Sequence, residues 1–62
     1  MYNTVRLLRM RQGLTQQMLA SWAEIPANTL WAVEHNRSIP RVDTALRIAG
    51  ALGVRVEDVF FL

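Results

Sequence analysis

Apolar residues recur along the chain in short groups cut by turn-forming residues. Gly13, Pro26, Asn36, Pro40 and Gly53 divide it into five pieces of about five to twelve residues, a length that suits short helices better than strands. Val5 and Leu8 lie three positions apart with Leu14 below them, and Gly13 stands where a helix end needs a positive φ, which predicts a first helix from Thr4 to Gln12. Thr15 supplies an oxygen for the orphan amides of a second helix, Gln16 to Ala23, whose Leu19, Ala20 and Ala23 share one face. Pro26 suits the first turn of a third helix, Ala27 to His35, with Leu30 and Val33 on its inner side. After the turn from Asn36 to Arg41, the spacing of Val42, Ala45, Leu46, Ala49 and Leu52 predicts a fourth helix that stops at Gly53 and carries Asp43 near its positive end. Glu57 to Phe61 reads as a short fifth helix, with Glu57 and Asp58 as N-terminal charges.

The 62 residues suffice for one domain, 1–62, with no linker or repeat. Composition is 52% hydrophobic and 19% charged, which argues against disorder, and no apolar run approaches the roughly 20 residues of a membrane span. The first residues lack a basic stretch followed by an apolar one, so a cytoplasmic protein is expected. With no cysteine, and with His35 the single histidine, neither a disulfide framework nor a metal or cofactor site is expected. No Gly-rich phosphate loop, nucleophile beside a histidine or pocketed carboxylate pair is present, which argues against an enzyme. All seven basic residues are arginine, the side chain best matched to phosphate and guanine edges, although the net charge is only +2.

The second and third predicted helices are separated by a few residues, with the small Ala20 at their close approach, which is helix-turn-helix spacing. Val5, Leu8, Arg9, the run Gly13-Leu14-Thr15-Gln16, Leu19-Ala20, Leu30, Glu34, Pro40, Leu46, Ala49 and Leu52-Gly53-Val54 follow at family spacing. From about Val5 to Phe60 the chain resembles the Cro and phage-repressor family, also called xenobiotic-response-element (XRE) regulators. The resemblance implies an all-α, compact, five-helix, lambda-repressor-like domain with the helix-turn-helix at helices 2 and 3.

What the resemblance implies for individual residues follows from helix 3 lying in the major groove of double-stranded DNA. Ala27, Asn28, Trp31 and Ala32 then face base edges, with Thr29 on the flank. Asn28 can pair through its amide with adenine, or else bond its own first turn; Trp31 can meet a sugar or a thymine methyl, hold a protein partner, or pack on Ala27. Thr15 and Gln16 match positions that hold phosphate at the start of helix 2; Thr29, Arg37, Ser38 and Arg41 complete the expected backbone contacts, with solvated loop residues as the plainer reading. Arg6 and Arg11 are read as surface cover. Arg9 and Glu34 match a structural salt bridge between helix 1 and the end of helix 3.

Several positions depart from the family pattern. Glu24 replaces a usual glycine in the turn, Pro26 a usual Ser or Thr cap, and Asn36 another glycine. Between Thr15 and Asn36 the only formally charged residues are Glu24 and Glu34, so base readout there rests on amide and apolar groups. Leu7, Met10, Met18 and Trp22 lie off the core stripes, and with Phe61 and Leu62 they predict an apolar dimer or partner surface. Val59-Phe60-Phe61-Leu62 is the expected dimer contact. The sequence therefore points to a transcriptional repressor binding a palindromic operator as a homodimer. The alternative is a protein-interaction module or antitoxin component using Met18, Trp22 and Trp31.

Overall fold

The computed structural model describes residues 2–61. Strand β1 (Tyr2–Asn3) leads into helices α1 (Val5–Arg11), α2 (Gln16–Ala23), α3 (Ala27–Glu34) and α4 (Val42–Leu52), then a single 3₁₀ turn, Val56–Asp58, and strand β2 (Phe60–Phe61). The four helices fall where the sequence punctuation places them. The fifth does not exist. In place of a helix from Glu57 to Phe61, Phe60 and Phe61 pair antiparallel with Asn3 and Tyr2 respectively. Aromatic residues favour a pleated strand, and here the partner strand comes from the opposite end of the chain, a non-local choice that outweighs a local helical reading. Glu57 and Asp58 do stand at a helix start, that of the 3₁₀ turn, where the Asp58 carboxylate accepts the Arg55 backbone N–H at 3.3 Å.

All four helices stop in the same way. Gly13, Glu24, Asn36 and Gly53 are the residues with positive φ, at 71°, 58°, 56° and 74°. After each, the next amide reaches back to a carbonyl in the last turn of the helix: Leu14 to Arg9, Ile25 to Ala20, Arg37 to Ala32 and Val54 to Ala49, at 2.8–3.0 Å. This Schellman closure satisfies carbonyls that the helix itself leaves open, and it turns the following side chain back against the helix. Leu14, Ile25 and Val54 accordingly pack into or against the core. The family's glycine-to-glutamate departure at position 24 therefore leaves the backbone left-handed, so Glu24 carries the strain.

Val5, Leu19, Leu30, Val33, Ile48 and Val59 are fully buried and form the centre, with α4 laid against α2 and α2 against α3. The stripe of α4 differs from the expected one. Val42 is 77% and Leu46 54% exposed, while Ile48, fully enclosed, joins Ala45, Ala49 and Leu52 on the inner face. Val59 also belongs to the core, which removes it from the expected dimer contact. Asn3 fastens the β1–β2 pair to the C-terminal end of α3. Its Nδ2 donates to Val33 O and Asn36 Oδ1, and its Oδ1 accepts the Val5 amide.

Two outcomes follow for stability. Ile48→Ala is expected to cost about 2–5 kcal/mol, against less than about 0.5 kcal/mol for Leu46→Ala, in chemical denaturation; equal losses would place Leu46 in the core instead. Glu24→Gly should raise stability by up to about 1 kcal/mol, since glycine adopts the left-handed turn without a Cβ clash, read as a higher denaturation midpoint.

Candidate nucleic-acid interface

The turn Glu24–Ile25–Pro26 sets α3 across α2. Pro26 occupies the N-cap of α3 in an extended conformation and offers no side-chain cap, but its carbonyl accepts the amides of Thr29 and Leu30 at 3.1 and 3.2 Å. The first amides of α3 consequently have no side-chain cap from Pro26. Thr15 caps α2 in the ordinary way, its Oγ accepting the Met18 amide at 3.1 Å.

Glu34, at the last turn of α3, accepts three hydrogen bonds from two residues. Arg9 meets it bidentately, Nε to Oε2 at 2.7 Å and Nη2 to Oε1 at 3.2 Å, and the Gln16 amide nitrogen donates to Oε1 at 3.0 Å. The remaining Arg9 nitrogen, Nη1, donates to the Leu14 carbonyl at 2.8 Å. The Glu34 side chain is wholly enclosed and that of Arg9 is 12% exposed, so this is a desolvated pair whose hydrogen bonds are filled. One cluster thereby joins α1, the start of α2 and the end of α3. It also takes the only acidic side chain of α3 away from the surface. The side-chain amide of Gln16, expected to hold phosphate, is turned to Glu34, with one further hydrogen on the same nitrogen.

On the outer face of α3, Ala27, Asn28, Trp31 and His35 are exposed, while Thr29 and Ala32 are half-buried. Asn28 makes no side-chain hydrogen bond among the described residues, so the local first-turn bond considered for it is not formed. Trp31 has aromatic and cationic neighbours. Its ring stacks on His35, with centroids 4.1 Å apart and planes 21° from parallel, and the Arg37 guanidinium carbon lies 5.6 Å from its centroid. His35 was not singled out from the sequence, although its position four residues after Trp31 is the spacing at which helical side chains meet. Arg37, Ser38 and Arg41 sit exposed on the loop between α3 and α4. Arg41 forms a loose, solvated pair with Asp43 at 3.5 Å, a contact worth little to stability.

The apolar residues off the core stripes are exposed: Leu7, Met10, Met18, Trp22 and Phe61, together with Tyr2, Ile39, Val42 and Leu46. Met18 and Trp22 stand on α2, whereas Phe61 lies on β2 beside Tyr2 of β1, ring centroids 5.9 Å apart. Leu62 lies outside the described residues. Among the described residues there is no pocket, no cluster of three potential metal ligands and no helix long and apolar enough to cross a membrane.

Comparison with known proteins agrees with this arrangement. A family model described as helix-turn-helix matches residues 5–59. The chain is 36% identical over 62 residues to YgzD of Bacillus subtilis, an uncharacterized HTH-type transcriptional regulator, covering all of this chain and 94% of the relative. It is 40% identical over 63 residues to an uncharacterized HTH-type transcriptional regulator of Methanothermobacter thermautotrophicus, covering all of this chain and 91% of that one. A regulator of the same description from Methanocaldococcus jannaschii is 33% identical over 60 residues, covering 97% of this chain and 91% of its own. Both the order of elements around the turn and these likenesses along the whole chain lead to one assignment: the chain belongs to the helix-turn-helix family of the XRE type.

Proposed function

We propose that this chain is a sequence-specific DNA-binding transcriptional regulator, a repressor that docks α3 in the major groove and binds a palindromic operator as a homodimer. The observation that carries the reading is the outer face of α3, where Ala27, Asn28 and Trp31 stand exposed while Glu34, the helix's single acid, is held by Arg9 and Gln16. A buried and neutralised carboxylate does not repel phosphate. Ala27, Asn28, Trp31 and Ala32 are the base-facing residues, and Asn28, free of local bonds among the described residues, suits bidentate pairing with adenine. Backbone contacts come from Thr15, Thr29, Arg37, Ser38 and Arg41, and from Gln16 through the second hydrogen of its amide.

Dimerisation places two copies of α3 about 34 Å apart, one helical turn of DNA. The exposed apolar residues Phe61, Met18 and Trp22 support a surface for it, and Leu62 continues the same end of the chain. A second reading, a protein-interaction module or antitoxin component, draws on the 59% exposure of Trp22, a large apolar ring on the helix beside α3.

Selection from a random duplex pool at near-physiological salt separates the two. The regulator reading predicts a palindrome rich in A·T with half-sites about one turn apart. Asn28→Ala should remove discrimination at one adenine, about 1–3 kcal/mol, and Arg41→Ala should weaken all sequences alike and lower the salt slope by about 0.9 per protomer. No enrichment by folded protein, with little salt dependence, would overturn the reading in favour of a protein partner.

A further inference from the structure

We propose that Trp31 is a specificity-determining residue that reads the C5-methyl group of one thymine per half-site, and that His35 and Arg37 are positioning residues that hold its ring for that contact. The proposal rests on the DNA-binding reading above and deepens it.

A tryptophan on an exposed helix face ordinarily has several rotamers to lose on binding. Trp31 is 41% exposed, and two polar side chains that the backbone itself delivers lie against its ring. His35 lies one helical turn on, and its Nδ1 is 2.9 Å from the Trp31 carbonyl oxygen. A carbonyl only accepts, so this hydrogen bond requires the hydrogen on Nδ1; the imidazole ring lies along a face of the indole. Arg37 arrives by a different route. It follows the left-handed Asn36, and its amide closes the end of α3 on the Ala32 carbonyl at 2.8 Å. At the same place after α1, α2 and α4 the chain has Leu14, Ile25 and Val54, which turn into the core. At α3 the residue is arginine, and the same turn brings its guanidinium to the indole, within cation–π range.

The indole ring has limited base chemistry. The indole N–H is a lone donor that guanine, adenine N7 and thymine O4 all accept, so it discriminates poorly. The apolar ring edge has one distinctive partner in the major groove, the thymine methyl. Immobilising the ring beforehand reduces the ordering cost of so small a contact, which is the advantage of holding it at both His35 and Arg37. Arg37 retains guanidinium donors for the adjacent phosphate, so the base contact and a backbone contact share one side-chain assembly.

The test uses the operator recovered by selection, with each thymine replaced singly by deoxyuridine, which removes only the methyl. For the parent protein one thymine per half-site should show an affinity loss of about fourfold, the worth of one buried methyl. In Trp31→Ala and Trp31→Gln that loss should vanish while losses at other thymines remain. His35→Ala should shrink it below about twofold, and His35→Phe, which keeps a stacking ring, should restore it. A merely structural His35 would lower the melting temperature and weaken all operators alike, leaving the methyl dependence intact; that result overturns its positioning role. Equal deoxyuridine losses for the parent and both Trp31 variants overturn the role of Trp31 while leaving the regulator reading in place. A folded parent protein that selects no operator defeats both. Should the Trp31 variants fail to fold, the parent and His35 variants still decide: a parent showing no methyl dependence at any thymine removes the proposal.

Discussion

The carboxylate of Glu34 is the point on which the presentation of α3 depends. It is fully enclosed, and an isolated charge there would be strongly unfavourable, so its place is tolerable only because Arg9 and Gln16 fill its hydrogen-bonding sites. These partners come from α1 and from the first residue of α2, so three helices are tied to one group. A hydrophobic contact at the same place would bury surface but fix no orientation. A bidentate pair fixes both distance and plane. The cluster also decides the electrostatics of the outer surface, because the acid that closes α3 is spent inside the protein.

The helix ends do the complementary work. Each helix is closed by a left-handed residue followed by a side chain folded back on the last turn. At three ends this adds an apolar residue to a small core. At the fourth, Arg37 goes to Trp31 on the surface instead, and the same backbone device serves the outer face of α3. Asn36, which provides that turn, also accepts from Asn3, so the β1–β2 pair is attached where α3 ends. The strand pair is thus a brace for α3.

Much of this was legible in the sequence because it is local. Gly13, Asn36 and Gly53 mark helix ends by their tolerance of positive φ, and the boundaries of α1 to α4 follow. The failures share a cause in contacts distant along the chain. Glu57 to Phe61 has too few residues for periodicity to separate helix from strand, and the outcome depends on Tyr2 and Asn3. In α4 both Leu46 and Ile48 are apolar, and only the packing on α2 selects Ile48. The roles of Asn3 and of the Gln16 side chain rest on partners 30 and 18 positions away. On the recognition face, Asn28 and Trp31 were visible as residue types at positions implied by the family resemblance. The stack on His35 was readable in principle from its four-residue spacing, but a lone histidine draws attention as a ligand or catalyst before it is considered as a ring.

The most direct test of the central place of Glu34 is a double-mutant cycle on its pair with Arg9, using Arg9→Met, Glu34→Leu and both together, measured by chemical denaturation. Removing one partner strands the other charge, so each single variant should lose about 3 kcal/mol, a large part of the roughly 3–9 kcal/mol available to a domain of this size. The double variant, with no charge left to strand, should recover at least about 2 kcal/mol relative to the sum of the singles. Losses that simply add, within about 0.5 kcal/mol, would contradict the account and reduce the pair to two independent surface residues.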